Sequence, residues 1–196
     1  YFFYPFFYFI CFFYKFRNIF RKYKFGLTCT KGSIQHFTYK QWKEIKQIQK
    51  DSICISVVTH PQHRIVSSYY FLGYSKHYSF LEFLNKIKDG TLLESIRFSP
   101  FQAIIKQHTR PISDYIINNN GNIDINFILK RESLDNDWKK LCDIYKLSYS
   151  PLKHINKTKH IKDWRELYRT YPETVSLVYK LYKNDFKNFN YKILSN

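Results

Sequence analysis

The sequence predicts an α/β fold in which short buried strands alternate with helices. The β-branched run Ile53 to Val58 lies between Asp51 and Pro61, which is typical of a fully buried parallel strand. Pro61 suits a first helical position, and the apolar residues after it predict a helix that ends at Gly73. Few strands among many helices indicate a three-layer α/β domain with its ligand at the carboxyl ends of the strands.

Local signals place the other elements. Ser79 and Glu82 form a capping box that opens a helix, and another helix begins near Ser99. A turn at 118–122 precedes the second predicted strand, Ile123 to Leu129. Two later helices have the inward faces Leu134, Trp138, Leu141, Cys142 and Tyr145 and, after Pro172, Val175, Val178, Leu181 and Tyr182.

Composition narrows the class of protein. With 196 residues, 44% of them hydrophobic and 24% charged, the chain is a globular domain rather than a disordered or collagen-like protein. Its net charge of +17 indicates a polyanionic partner such as a phosphate, a sulfated glycan or a nucleic acid. The four cysteines contain no C-x-x-C pair, so the sequence predicts neither a zinc site nor a disulfide framework.

Residues 1–25 form an aromatic and basic segment that differs from a predicted domain at 26–196. The apolar run 1–14 contains Pro5 and is too short to span a bilayer. It is interpreted either as non-native sequence or as the remnant of an anchor and a phosphate loop. If the apolar run is an anchor, the positive-inside rule places the basic residues that follow it in the cytosol. A start at Tyr1 and the lack of Met predict a fragment or an imperfect gene model.

The junction between the first predicted strand and its helix is the candidate site. A helix N-terminus presents backbone N–H groups and a positive dipole to anions. Arg64 adds a cation in the first turn, and Ser67 adds a hydroxyl one turn later. A salt bridge from Arg64 to a neighbouring element is the structural alternative.

Four segments resemble the carbohydrate-type sulfotransferases, which use 3′-phosphoadenosine 5′-phosphosulfate. THPQHRIVSSYYFL resembles the family element R-[DN]-P-x-x-R-x-x-S-x-Y, and QHTRPISDYI resembles H-x-x-P-Q-x-x-[FY]-[IL]. DINFILKRESLDNDWKKLC is similar to a strand and helix of the family. The stretch from Leu152 to Tyr191 is similar to its C-terminal pattern. The resemblance covers roughly residues 31–191 and implies a P-loop-like fold.

The resemblance implies that the strand-to-helix junction binds the 3′-phosphate of the nucleotide. Ser67 matches the phosphate-binding serine, Arg64 the second arginine of the element, and Thr59 the position of its first arginine. Asn156, Lys157 and Thr158 match a loop that the family places over the nucleotide.

For the transfer, the resemblance implies an in-line reaction onto a carbohydrate hydroxyl, with no metal. His36, in QHFTYKQW, matches the region lining the acceptor site and is the candidate general base, because imidazole titrates near neutrality. His108 and Asp114 match the segment that faces cofactor and acceptor. For each of these three residues, an ordinary structural role is the alternative.

The sequence departs from the family pattern at three places. Thr59 replaces a charged phosphate ligand, and Ile112 replaces a glutamine. The family's N-terminal K-x-x-G-[TG]-[ST] loop is expected at about 10–16, where this sequence has large aromatic residues and no glycine. A misread N-terminus, a degenerate enzyme and a rewired site remain open explanations.

Two further function classes stay open beside the sulfotransferase. One is a catalytically inactive relative that binds nucleotide or polyanionic glycan. The other is a nucleic-acid binder, which the charge and the aromatic residues favour but no motif supports. The family resemblance implies a Golgi-like, membrane-associated protein, whereas the flanking charge indicates the cytosol.

Overall fold

The computed structural model describes residues 10–12, 28–29, 32–33, 37–44, 52–94, 99–152 and 163–194. These residues belong to two compact units. The first draws on 1–58 and 112–157, and the second on 59–111 and 158–196. The predicted domain boundary after residue 25 lies outside the described residues and stays a prediction.

The first unit is built on a mixed sheet. Its strands are β1 (Ile10–Phe12), β4 (Ile53–Val58) and β5 (Phe127–Lys130), in the order β1-β4-β5. β4 and β5 are parallel, with Ile55 opposite Phe127, whereas β1 is antiparallel to β4. Two short strands, β2 (Thr28–Cys29) and β3 (Gly32–Ser33), form a separate antiparallel pair. The parallel β4–β5 pair bears out the predicted α/β class, and β1 makes the sheet mixed rather than purely parallel.

Among the residues that the structure describes, the first unit also contains three helices, namely α1 (Tyr39–Glu44), α5 (Ser113–Ile116) and α6 (Leu134–Ile144). Helix α6 packs on the parallel strands, where Leu141 joins Ile55 and Leu129 in one apolar cluster. Trp138 and Tyr145 pack against that cluster, so the predicted inward face of α6 is confirmed.

The second predicted strand begins four residues later than expected. Ile123 makes only an isolated bridge to Ile117, because the intervening turn folds the chain back on itself. The Asn126 side chain then accepts a hydrogen bond from the Cys54 backbone N–H at 2.8 Å, and the Asn126 N–H donates to the Cys54 carbonyl. The regular ladder therefore starts at Phe127 and ends at Lys130.

The second unit is helical. Its helices are α2 (Pro61–Phe71), α3 (Phe80–Lys88), α4 (Ser99–Thr109), α7 (Glu166–Thr170), α8 (Glu173–Leu181) and α9 (Lys183–Asn188). The predicted starts at Pro61, at the Ser79 capping box and at Ser99 are confirmed. Gly73 adopts φ +76°, a conformation that glycine reaches without a Cβ clash, and ends the α2 segment as predicted.

One apolar core joins α2, α3, α8 and α9. Ile65 and Val66 of α2 are fully buried with Phe83 and Leu84 of α3, and Val178 of α8 closes the cluster. The buried Tyr168 of α7 belongs to the same core, and its hydroxyl donates a hydrogen bond to the Gln62 carbonyl at 2.8 Å. Burial raises the pKa of Tyr168 well above its usual range, so the hydroxyl stays a donor.

We expect Tyr168→Phe to lower the free energy of unfolding by about 1–3 kcal/mol, because the Gln62 carbonyl is left buried without its donor. Urea denaturation followed by circular dichroism measures the change. Tyr171→Phe is the matched control. The Tyr171 side chain is half-buried, and its hydroxyl makes no hydrogen bond within the described residues. Equal effects of the two substitutions would contradict the importance of this bond.

Candidate functional site

The first turn of α2 is capped by a histidine. The His60 Nδ1 atom accepts a hydrogen bond from the Gln62 backbone N–H at 3.3 Å, and Pro61 occupies the first helical position. Because Nδ1 accepts, the neutral ring carries its proton on Nε2, which donates to the Lys192 carbonyl at 2.9 Å. The N-cap of α2 is thus His60 rather than the neighbouring Thr59.

This cap changes how the helix end can bind an anion. Pro61 has no N–H, and the N–H of Gln62 is already used by the His60 ring. Two backbone donors of the first turn are thus withdrawn from any ligand. The helix end therefore offers an anion fewer backbone donors, beside its dipole and nearby side chains.

Gln62 ties the C-terminal segment to the same turn. Its Nε2 donates to the Leu194 carbonyl at 3.1 Å, and its Oε1 accepts from the Leu194 N–H at 2.9 Å. Gln62 itself is 1% exposed, whereas Leu194 is an exposed residue, so both bonds are partly buried. With His60 on the Lys192 carbonyl, the segment 191–194 lies along the start of α2.

Arg64 lies inside the second unit rather than on its surface. Its side chain is 1% exposed, its Nη2 donates to the Arg110 carbonyl, and its guanidinium lies 5.4 Å from the centre of the Tyr182 ring. The Tyr182 hydroxyl in turn donates to the Thr109 carbonyl at 2.7 Å. The positive charge therefore lies fixed beside the end of α4. A direct contact of Arg64 with phosphate stays a prediction.

The two neighbouring serines of α2 have different surroundings. The Ser68 hydroxyl is fully buried and donates to the His108 carbonyl at 2.9 Å. Ser67 is half-buried, and its hydroxyl has no hydrogen-bond partner among the described residues. Ser67 is thus the serine whose hydroxyl can serve a ligand, whereas Ser68 joins α2 to α4.

The other predicted residues fall in different places. Thr59 is half-buried in the two-residue connection from β4 to α2. His108 belongs to the second unit, is 4% exposed, and has its ring 4.7 Å from that of Phe71. Asp114 belongs to the first unit, half-buried in the first turn of α5. His36 and the loop residues Asn156, Lys157 and Thr158 lie outside the described residues.

A family model decides the identity of this chain. The model described as "Sulfotransferase family" matches residues 24–192, which include the strand β4, the capped helix α2 and the C-terminal helices. The chain belongs to the sulfotransferase family. No curated protein and no solved structure matches it.

Three further features of this sulfotransferase-family chain concern membrane spans, metal sites and cysteines. Among the described residues, no helix is long and apolar enough to cross a membrane. The same residues contain no group of three or more His, Cys, Asp and Glu side chains arranged to hold a metal ion. Cys54 and Cys142 are both buried.

Sequence reasoning missed a polar cluster in the first unit. The Tyr39 hydroxyl donates to Asp124 Oδ2 at 2.6 Å, and the Lys43 ammonium lies 3.4 Å from the same oxygen. The hydrogen bond from Tyr39 lowers the pKa of the Asp124 carboxyl, and Lys43 adds to that shift. The partners are more than 80 residues apart, so no local pattern could have paired them.

Sequence reasoning also missed the hydrogen bonds that Gln62 makes to Leu194. In the family element this position accepts any residue, and Leu194 lies 132 residues further along the chain. A glutamine in the first turn of a helix is not unusual, so the residue type alone does not indicate these bonds.

We expect Ser67→Ala and Ser68→Ala to separate ligand binding from stability. Ser67→Ala should weaken binding of adenosine 3′,5′-bisphosphate by about three- to tenfold and leave the melting temperature unchanged, because its hydroxyl has no partner in the described structure. Ser68→Ala should lower the free energy of unfolding by about 1–3 kcal/mol, because it leaves the His108 carbonyl without its donor.

Calorimetric titration and thermal denaturation on the same protein samples measure both quantities. Unfolding of the Ser67→Ala protein would show that Ser67 is structural, and unchanged nucleotide affinity would remove it from the site.

Proposed function

We propose that this chain transfers a sulfuryl group from 3′-phosphoadenosine 5′-phosphosulfate to a hydroxyl group of a carbohydrate acceptor. The observation that carries the proposal is the family match over residues 24–192, within which α2 retains a ligand-accessible serine. Sulfotransferases generally use this sulfuryl donor. The proposed architecture is the three-layer, P-loop-like sulfotransferase fold, of which the described sheet contributes the parallel pair β4 and β5.

The proposed nucleotide site is centred on α2. Its N-terminal dipole and the Ser67 hydroxyl bind the 3′-phosphate, and the fixed charge of Arg64 adds a favourable potential in the same helix. Thr59, half-buried just before the cap, supplies a hydroxyl where the family has an arginine. Asn156, Lys157 and Thr158 match the loop that the family places over the nucleotide, and they are proposed to contact it.

The proposed reaction is an in-line displacement at sulfur. The acceptor oxygen forms a bond to sulfur as the bond from sulfur to the phosphate oxygen breaks, and adenosine 3′,5′-bisphosphate leaves. His36 takes the proton of the acceptor hydroxyl, while His108 and Asp114 orient the acceptor. Positively charged side chains around the transferred sulfuryl group stabilise the negative charge that develops on its oxygens in the transition state.

A second candidate function is nucleotide or polyanionic-glycan binding without catalysis. Three observations favour it. Thr59 removes one charge from the phosphate site, and the residues expected to form the phosphosulfate loop are bulky aromatics without glycine. Ile112, which stands where the family has a glutamine, is fully buried in the first unit and offers a ligand no polar group.

Calorimetric titration with adenosine 3′,5′-bisphosphate tests the nucleotide site that both candidates share. We expect binding in the micromolar to sub-millimolar range, and weaker binding of adenosine 5′-monophosphate, which lacks the 3′-phosphate. No binding at millimolar ligand, or equal binding of the two nucleotides, would contradict the proposed site. A chromatographic assay for sulfated product then separates the enzyme from the inactive relative.

We expect Thr59→Arg to tighten binding of adenosine 3′,5′-bisphosphate about tenfold or more, because a charge-assisted hydrogen bond replaces a neutral one. Thr170→Arg is the matched control, since Thr170 is exposed on α7 and gains the same charge. The control should change the affinity by less than about twofold, because a charge on an exposed side chain is screened by salt. An unchanged dissociation constant for Thr59→Arg would show that the junction does not contact the phosphate.

A further inference from the structure

The strands β1 and β4 bring two cysteines opposite each other. In this antiparallel pair Cys11 is the register partner of Cys54, with one further register pair on each side of them. The two cysteines are more than 40 residues apart in the chain. Their spacing in the sequence therefore gives no sign that they meet, and the register of the strands supplies the pairing.

Hydrogen bonds to the β5 side show what kind of pair the two cysteines form. The Cys54 N–H donates to the Asn126 side chain at 2.8 Å, and the Cys54 carbonyl accepts from the Asn126 N–H at 2.9 Å. The N–H and the carbonyl of one strand residue point to the same side of the strand, so both groups of Cys54 are directed toward β5 rather than β1. Cys11 and Cys54 are therefore a non-hydrogen-bonded pair of the β1–β4 ladder.

A non-hydrogen-bonded pair has backbone geometry that suits a disulfide. Residues directly opposite each other share one face of the sheet, and in such a pair both their Cα atoms and their Cβ atoms are about 4.5 Å apart. A disulfide spans roughly 4.4–6.8 Å between Cα atoms and about 3.5–4.5 Å between Cβ atoms. The register thus places Cys11 and Cys54 at a separation that a disulfide can bridge.

Cys142 is not a competing partner for Cys54, because the sheet lies between them. Helix α6, which carries Cys142, packs against the face of β4 that includes Ile55. Side chains alternate between the two faces of a strand, so Cys54 is on the face turned away from α6. Burial also raises the pKa of the Cys142 thiol, and Asp143 adds to the shift, which leaves less of the reactive thiolate.

Formation of the bond requires a two-electron oxidant, and a small disulfide such as oxidised glutathione supplies it. The thiolate of one cysteine attacks a sulfur of the small disulfide, which forms a mixed disulfide and releases one glutathione thiolate. The thiolate of the other cysteine then attacks the protein sulfur of the mixed disulfide and releases the second glutathione. The two cysteines lose two protons and two electrons, and one oxidised glutathione becomes two reduced molecules.

The position of β1 gives such a bond a structural role. β1 has three residues and lies at one edge of the described sheet, next to β4. A strand of this length makes few ladder hydrogen bonds. A disulfide to β4 also closes a loop of more than 40 residues, which restricts the unfolded chain.

We propose that Cys11 and Cys54 form a cross-strand disulfide that joins β1 covalently to β4 under oxidising conditions. Reduction returns β1 to its backbone hydrogen bonds alone. The disulfide is independent of the proposed sulfuryl transfer, since neither cysteine is among the residues assigned to the nucleotide or the acceptor.

Peptide mapping of the full chain tests the bond directly. The reduced protein is incubated with oxidised glutathione, its remaining thiols are alkylated, and it is digested with trypsin without reduction. Trypsin places the four cysteines on four different peptides, namely 1–15, 25–31, 51–64 and 141–146. We expect mass spectrometry to find 1–15 linked to 51–64, with 25–31 and 141–146 alkylated. Alkylation of all four peptides, a link between other peptides, or a link found only in covalent dimers would overturn the proposal.

Moving the thiol by one position tests whether the register makes the bond. Cys11→Ser combined with Phe12→Cys places the cysteine opposite Ile53, on the other face of the sheet. The yield of the link to Cys54 should then fall about tenfold or more, because the two Cβ atoms no longer face each other. Cys29→Ser is the control and should link as the unchanged chain does. Equal yields from the Phe12→Cys variant and the unchanged chain would overturn the pairing by register.

The melting temperature gives a second readout. The oxidised chain should melt about 5 °C or more above the reduced chain, because a bond that closes a long loop lowers the entropy of the unfolded state. The difference should vanish in Cys11→Ser, which leaves the buried Cys54 in place. A mapped link that leaves the melting temperature unchanged would overturn the claim that it holds β1 to the sheet.

Discussion

The candidate nucleotide site depends on hydrogen bonds by which buried side chains hold the first turn of α2. Gln62 bonds to both backbone groups of Leu194, His60 bonds to the Lys192 carbonyl, and Tyr168 donates to the Gln62 carbonyl. Each bond joins α2 to a segment more than 100 residues away, and most of the groups are shielded from water. The orientation of everything that follows on the helix, Ser67 included, is therefore fixed by the C-terminal part of the second unit.

Because α2 is anchored in this way, side chains that are close in sequence have different roles. Arg64 and Ser68 face inward and tie α2 to the carbonyls of Arg110 and His108, at the end of α4. Ser67 keeps its hydroxyl available, because the described chain offers it no partner. Two positions in the first turn also offer no backbone donor, because Pro61 has no N–H and the Gln62 N–H bonds to the His60 ring. Anion binding here consequently relies on side chains and the helix dipole more than on backbone N–H groups.

The sequence predicted the elements that local interactions determine, and it missed the contacts between residues far apart in the chain. β4, α2 and α3 begin and end where expected, because a β-branched run, a proline at the first helical position and the Ser79 cap act within a few residues. The second strand was predicted too early, because Asn126 precedes the regular ladder with one side-chain and one backbone hydrogen bond to Cys54. Ser67 could be singled out by its match to a family element, whereas the bonds of Gln62 to Leu194 and of Tyr39 to Asp124 carry no local signal.

The central claim is that the start of α2 binds the 3′-phosphate of the sulfuryl donor. Hydrogen–deuterium exchange of the full chain, with and without saturating adenosine 3′,5′-bisphosphate, tests it most directly, because ligand contacts slow the opening of the amides they cover. The account predicts slower exchange in peptides covering residues 59–67, and no such change with adenosine 5′-monophosphate. Protection that appears only elsewhere in the chain, or equally with both nucleotides, would contradict it.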